Sequence, residues 1–147
     1  MLQNQYPGEL ATAHQTFRLA EEYREAARLL GQQARRGKPL SRAPCRLTAI
    51  HAIELYLTAL LLHLGLKPAD VRGMQHNLAA RTELAVDGGL PLRKRTASHL
   101  AQMDGNREYI VARYDVEMTA TVSQINRLTA TLKEVADKVS VLMNPPP

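Results

Sequence analysis

The longest apolar stretch of the chain, LTAIHAIELYLTALLLHLGL over residues 47–66, limits most strongly the folds that are open to it. Its apolar residues cover most of the circumference of a helix, and such a helix has to be buried by other elements. The stretch follows Arg46 and contains His51, Glu54 and His63, which favours a buried helix over a membrane span. We therefore expect this helix to lie at the centre of a helical bundle.

Other segments have the three- and four-residue periodicity of amphipathic helices. Glycine and proline near residues 7–8 and 37–39 should bound the first helix. The sequence from Ser41 to Pro44 suits the start of the second helix, and Gly65 suits its end. Further helices are expected over residues 76–86, from Pro91 to about residue 103, over residues 108–114 and over residues 116–143, with a connector at residues 65–73.

The last of these helices has a heptad seam, because its apolar positions alternate steps of four and three residues. The seam consists of Met118, Val122, Ile125, Thr129, Leu132, Ala136, Val139 and Met143. Such a seam packs within a bundle or across a homodimer. Since no strand pattern is visible, the predicted fold class is all-α: an antiparallel up-and-down bundle of four to five helices. We expect one domain over residues 1–147, with frayed ends at 1–8 and 144–147.

The composition favours a protein of the reducing cytoplasm. A domain of 147 residues buries roughly 68 to 70% of the surface of its unfolded chain, so it needs neither a metal nor a disulfide to fold. Cys45 is the only cysteine, which indicates a reducing compartment. The first residues lack the basic start and apolar run of a signal peptide. We expect a cytoplasmic protein without membrane association or cofactor.

The charge of the chain permits a phosphate-bearing partner. Nineteen basic and fourteen acidic residues give a net charge of +5, and the positive charge is concentrated at residues 35–46 and 93–95. Aromatic residues make up only 4% of the chain and tryptophan is absent, so the stacking surfaces of single-strand-binding proteins are not evident. Basic runs of this kind are more often solvated connections than binding surfaces.

Three short motifs follow one another in the middle half of the chain. Ala52, Glu54, Leu57, Ala59, Leu60 and Leu61 fit the pattern Ala-x-Glu-x-x-Leu-x-Ala-Leu-Leu. His76, Asn77 and Leu78 stand in place of a His-Asp-Leu motif, and Tyr109, Ala112, Arg113 and Tyr114 form a Tyr…Arg-Tyr signature. In this order the motifs resemble those of the HEPN family of compact all-helical domains.

The resemblance implies one of two functions. HEPN-like proteins act as RNA-cleaving toxins or defence nucleases, or as non-catalytic modules that bind nucleotides or pair with a small nucleotidyltransferase. The catalytic members carry an Arg and a His, separated by four to six residues on a late helix, and cleave RNA without a metal. The His would move protons at the 2′-hydroxyl, and the Arg would stabilise the charge on the phosphate.

Two pairs of residues in this chain have the spacing of that catalytic motif. Arg46 and His51 lie on the second helix rather than a late one. Arg93 and His99 are better placed in chain order, but they precede the Tyr…Arg-Tyr signature and lack an Asn-like residue beside the Arg. A metal-independent endoribonuclease that uses Arg93 and His99, helped by Glu54, is therefore the alternative hypothesis.

A third alignment favours a non-catalytic domain. Asn106 and Arg107 are followed by Arg113, which stands where a catalytic His would be required. A guanidinium remains protonated at ordinary pH and cannot act as a general base. We therefore expect a homodimeric module that binds a nucleotide or an RNA phosphate, or pairs with a nucleotidyltransferase. A second alternative is a helical protein-interaction module that uses the heptad seam.

Glu54 is the centre of the expected ligand site, because a carboxylate inside an apolar helix is costly to bury unless it is paired. The resemblance places it near a late-helix arginine, so an ion pair with Arg113 or Arg107 is expected. The predicted ligand-binding residues are Glu54, Arg107, Tyr109, Arg113 and Tyr114. A structural ion pair without a ligand and two packed tyrosine rings are the simpler explanations of the same residues.

No metal site is expected from the sequence. His51 and Glu54 share a helical face, but no third ligand at a recognised metal spacing can be identified. Cys45 lacks a partnered base and is interpreted as a small buried apolar residue.

Overall fold

The computed structural model describes residues 9–114 and 124–144, without the side chains of residues 112–114. These residues form seven α-helices and one 3₁₀ turn, and they contain no strand, which confirms the all-α class. The helices are α1 (Ala13–Gln32), α2 (Ala43–His63), α3 (Pro68–Gly73), α4 (Leu78–Asp87), α5 (Lys94–Gly105), α6 (Glu108–Tyr114) and α7 (Ile125–Met143), and the 3₁₀ turn, Pro39–Arg42, precedes α2.

Local hydrogen bonds explain where α1 begins. Thr12 and Gln15 form a capping box, in which the Gln15 backbone N–H donates to Thr12 Oγ1 at 3.1 Å. In return, the Thr12 backbone N–H donates to Gln15 Oε1 at 3.0 Å. This reciprocal cap satisfies two free N–H groups of the first turn. The helix therefore begins at Ala13, about one turn later than proline and glycine at residues 7–8 suggested.

The ends of α2 and α4 have the same backbone geometry. Gly65 follows α2 with a φ of 103°, and Gly89 follows α4 with a φ of 110°. The next residue donates its N–H back into the helix in each case, from Leu66 to the Leu61 carbonyl at 3.0 Å and from Leu90 to the Ala85 carbonyl at 2.9 Å. These are Schellman caps, and glycine is favoured there because it adopts a positive φ without steric cost.

Helix α2 is the central element of the core, as expected. It packs against α1, α4, α6 and α7, and Ile53, Leu57 and Leu60 are completely buried. Burial of such a side chain contributes about 1.5–3 kcal/mol. The segment Pro39–His63 is long and apolar enough to cross a membrane, and 61% of its most apolar window is buried inside the structure.

Helix α7 buries its apolar face within the same chain. Leu132, Ala136, Val139 and Met143 of the predicted seam are buried, and α7 packs on α2 and α5. Thr129 is exposed, whereas Leu128 is buried, so the centre of the face differs from the seam that the sequence suggested. The seam positions Met118 and Val122 lie outside the described residues. The buried part of the seam, from Leu132 to Met143, is therefore occupied by intramolecular packing.

The other connections differ from the predictions in detail. The expected connector at residues 65–73 contains the short helix α3, which begins at Pro68, a residue suited to the first helical position. Helix α5 begins at Lys94 rather than at Pro91. Helix α5 continues through Gly105, so the break before α6 lies at residues 106–107 and not at the expected residues 104–106; Arg107 has a φ of 50° there.

Candidate functional site

Glu54 lies in the middle of α2 and is surrounded by three basic side chains. Its Oε1 atom is 3.1 Å from His76 Nδ1 and 3.6 Å from Arg81 Nη2, and its Oε2 atom is 3.5 Å from His51 Nδ1. The Glu54 side chain is 12% exposed and that of Arg81 only 5%, whereas those of His51 and His76 are 37% and 47% exposed. These four residues and Tyr109 are called the Glu54 cluster below.

Arg81 is held in place by contacts with the protein. Its Nε donates to Thr58 Oγ1 at 3.1 Å, and its Nη2 donates to the Val71 carbonyl at 3.4 Å. Arg81 occupies the buried face of α4 with Leu78 and Ala85. Burial lowers the pKa of Arg81, and the charge of Glu54 opposes that shift. Because its donors are used inside the protein, Arg81 holds Glu54 rather than offering an open site.

The start of α4 determines the position of His76. Asn77 caps the helix, with Oδ1 accepting from the Ala80 backbone N–H at 2.9 Å, and the Leu78 N–H donates to Asp104 Oδ1 at 3.0 Å. These bonds satisfy N–H groups that an uncapped helix would leave free. His76 therefore lies just before the helix, where its ring reaches Glu54 instead of capping the helix itself.

Two tyrosines pack against the two histidines of the cluster. The Tyr109 ring of α6 lies 4.6 Å from the His76 ring between centroids, with the planes tilted by 33°. The Tyr23 ring of α1 meets the His51 ring edge-on at 4.5 Å. Aromatic contacts of this kind fix ring orientation. The half-exposed surface of the cluster thus consists mainly of imidazole and phenol rings around a carboxylate.

Glu54 is the anion of this site. Burial acts to raise the pKa of Glu54, but the hydrogen bond from His51 and the charges of Arg81 and His76 together hold that pKa below its ordinary value. An ionised carboxylate can only accept hydrogen bonds, so the Nδ1 atom of His76 that faces it carries a proton.

The structure corrects one of the two expected partners of Glu54. Arg107 is exposed in the link between α5 and α6, and its side chain forms no ion pair with Glu54 in the described part of the chain. Arg113 and Tyr114 belong to α6, but their side chains lie outside the described residues. Of the predicted ligand-binding residues, Glu54 and Tyr109 come together, and His76 lies between them.

The residues of the alternative catalytic pair are in different environments. His99 is buried, and its Nδ1 lies 2.6 Å from Thr131 Oγ1. Burial and then the charge of Arg127 lower the pKa of His99 to about 4. Arg93 is exposed, and its backbone N–H donates to Glu134 Oε2 at 2.8 Å. A substrate on the surface at Arg93 would not reach the buried His99 ring.

Arg46, the other arginine considered for catalysis, is buried inside the core. Burial lowers the pKa of Arg46, while the charge of the buried Glu108 at the start of α6 raises it. This opposite charge supports the contact between α2 and α6, which places Tyr109 beside His76. Arg46 therefore has a structural role near the site.

The sequence contained an unused signal for Arg81. Leu78, Arg81, Thr82 and Ala85 lie at helical steps on one face. An arginine on that face has to be buried and needs an anionic partner.

Within residues 9–114 and 124–144, no group of three or more His, Cys, Asp or Glu side chains has a geometry that could hold a metal ion. Comparisons with protein-family models, curated proteins and solved structures gave no match.

Proposed function

We propose that this chain is a non-catalytic binding module that holds a nucleotide, or one nucleotide of an RNA, at the Glu54 cluster. One observation carries this proposal: the largely buried carboxylate of Glu54 contacts two half-exposed histidines, and one of them packs on Tyr109. The sequence resemblance to non-catalytic HEPN-like domains supports the same function. The ligand class follows from the chemistry of these side chains.

Each group of the cluster suits one part of a nucleotide. The rings of His76 and Tyr109 suit a nucleobase, and base stacking on an aromatic ring contributes about 1–3 kcal/mol. Glu54 suits a sugar hydroxyl or an exocyclic amine, because a carboxylate accepts hydrogen bonds from both. His51 and His76, when protonated, can donate charge-assisted hydrogen bonds to a phosphate.

A purely structural ion pair explains only the buried half of the cluster. Glu54 and Arg81 connect α2 to α4, and a structural pair needs no further partners once both groups are satisfied. The two histidines lie on the other side of Glu54 and keep more than a third of their side chains exposed. Their exposure supports a ligand site built on a structural pair.

Nucleotide affinity tests this proposal, with paired substitutions at Tyr109. Isothermal titration with adenosine, guanosine, cytidine and uridine monophosphates should detect binding to the unmodified chain. Tyr109→Ala removes the ring and should weaken binding about tenfold, whereas Tyr109→Phe keeps the ring and should bind like the unmodified chain. Absence of binding by all four nucleotides and by a single-stranded RNA, or equal affinities of the two variants, would reject the site.

The ribonuclease alternative has its own test. The purified protein is incubated with labelled RNA in EDTA, beside an Arg93→Ala/His99→Ala variant. We expect no cleavage that depends on these two residues, because His99 is buried. Metal-independent cleavage that is lost in the variant would establish the enzyme and overturn the non-catalytic proposal.

The assembly of the module is also proposed from the resemblance. We infer a homodimer that pairs with a small nucleotidyltransferase in a toxin-antitoxin or defence system. Sedimentation equilibrium of the purified chain tests the first part, since a monomer at all concentrations would contradict it.

A further inference from the structure

A polar cleft lies between the start of α5 and the outer face of α7. Its volume is about 450 Å³. The lining residues are Arg93, Arg95, Thr96, Arg127, Ala130, Lys133, Glu134, Asp137 and Lys138. Five of these nine residues are basic, two are acidic and only Ala130 is apolar, so the α5–α7 groove is positively charged.

Both carboxylates of the α5–α7 groove already have partners. Glu134 accepts hydrogen bonds from the Arg93 backbone N–H at 2.8 Å, from Thr96 Oγ1 at 2.6 Å and from Lys138 Nζ at 3.0 Å. Asp137 pairs with Lys133 and lies 3.7 Å from Arg24. The Glu134 side chain is largely buried, so its charge is directed to the protein, whereas the charge of the half-exposed Asp137 is balanced by Lys133.

Three arginines supply the remaining positive charge. Arg93 and Arg95 are exposed, and among the residues that the structure describes neither has a carboxylate partner. Arg127 donates from Nη2 to Thr96 Oγ1 at 3.2 Å, which turns its guanidinium toward the same groove. A guanidinium presents a planar set of donors that matches a phosphate group, and it stays charged at any ordinary pH.

We propose that the α5–α7 groove binds the phosphodiester backbone of an RNA strand. The groove has no aromatic residue and one apolar residue, so it offers neither a base-stacking surface nor the apolar anchor that a protein partner needs. What remains is recognition of the backbone charge, which positions a strand without reading its sequence. The groove is formed by other residues than the Glu54 cluster, and the proposal shares only the ligand class with the proposed function.

Fluorescence anisotropy with a fluorescein-labelled single-stranded RNA of mixed sequence tests the groove. Arg93→Ala/Arg95→Ala should bind the RNA about tenfold more weakly at low salt. Its affinity should also depend less steeply on salt, by about 0.7 in the log–log slope for each lost phosphate contact. Both arginines are exposed, so the variant should fold normally, which circular dichroism checks.

Arg35→Ala/Arg36→Ala is the matched control, because it removes two exposed arginines from the connection after α1. We expect this control to bind like the unmodified chain. Equal weakening by both variants would show that only net charge matters and would overturn the groove. An unchanged RNA affinity of Arg93→Ala/Arg95→Ala would also overturn the groove.

Two further arms identify the ligand and separate the two sites. Unlabelled DNA of the same sequence should compete for the groove, since it has the same backbone charge, whereas polyglutamate should not; equal competition by polyglutamate would overturn a phosphate site. Tyr109→Ala should weaken mononucleotide binding about tenfold and keep the contribution of the groove to RNA binding. If Tyr109→Ala alone leaves nucleotide affinity unchanged, only the Glu54 cluster is rejected. If Arg93→Ala/Arg95→Ala alone leaves RNA affinity unchanged, only the groove is rejected.

Discussion

Glu54 of α2 and Arg81 of α4 form an ion pair in the interior, with 3.6 Å between Oε1 and Nη2. The pair connects two helices that are separated in the chain by α3 and its flanking turns. Because Arg81 is also bonded to Thr58 and to the Val71 carbonyl, it fixes the carboxylate beneath the two histidines. The geometry of the candidate site thus depends on this pair.

Removal of Glu54 should destabilise the fold. Glu54→Ala leaves the guanidinium of Arg81 buried without its anion, and breaking one side of a buried pair costs about 3 kcal/mol. Urea unfolding measures the loss. Glu54→Leu/Arg81→Leu removes both charges and should recover much of the stability. A loss for Glu54→Ala that is no larger than that of the double variant would contradict the buried pair.

The contribution of Glu54 to stability should depend on pH in the acid range. Its pKa in the folded state is lowered from the ordinary value of 4.5. The unfolded chain therefore takes up the proton first as the pH falls, so the stabilisation is present above pH 4.5 and is lost through the folded pKa. Glu54→Gln should make the free energy of unfolding depend less on pH in this range. An unchanged acid slope would contradict the lowered pKa.

His99 should produce a pH dependence at higher pH. Its ordinary pKa is 6.5 and its folded pKa is about 4, since burial and Arg127 disfavour the charged ring. Only the unfolded chain binds this proton between the two values, so the stability due to neutral His99 is full above pH 6.5 and is lost toward pH 4. His99→Gln removes the titration. The free energy of unfolding, measured with urea at several pH values between 4 and 6.5, should then change less with pH than in the unmodified chain.

The cap of α4 should matter for both stability and the site. Asn77→Ala removes the acceptor for the Ala80 N–H and should cost about 1 kcal/mol. Asn77→Ser restores a capping oxygen and should recover most of that loss. Thermal unfolding monitored by circular dichroism distinguishes the two variants, and equal midpoints would show that the cap does not hold α4.

The sequence predicted the helices where periodicity and end signals agreed. Gly65 marks the end of α2 because the Schellman cap requires a positive φ, and Pro44 lies in the first turn of the same helix. The start of α1 was missed, since the capping box at Thr12 and Gln15 is a side-chain interaction that periodicity does not reveal. The short helix α3 was missed because six residues are too few for a periodic pattern.

The candidate site was predicted less completely than the fold. The apolar surroundings of Glu54 showed that it needs a cationic partner, but the choice of partner depends on how α4 packs against α2. Motif order directed attention to Arg107 and Arg113, whereas the arginine that pairs with Glu54 in the described part of the chain is Arg81 on α4. His76 was noticed in a motif, yet its contact with Glu54 depends on the turn before α4, where Gln75 has a φ of 50°.

The binding role of the Glu54 cluster is tested most directly by NMR of the histidine side chains. A chain labelled with ¹⁵N-histidine is titrated with the nucleoside monophosphates and then with single-stranded RNA, and the imidazole nitrogens are followed in long-range ¹H–¹⁵N spectra. We predict that His51 and His76 shift with saturation, while the buried His99 does not. Unchanged His51 and His76 resonances at saturating ligand would contradict a site at the Glu54 cluster.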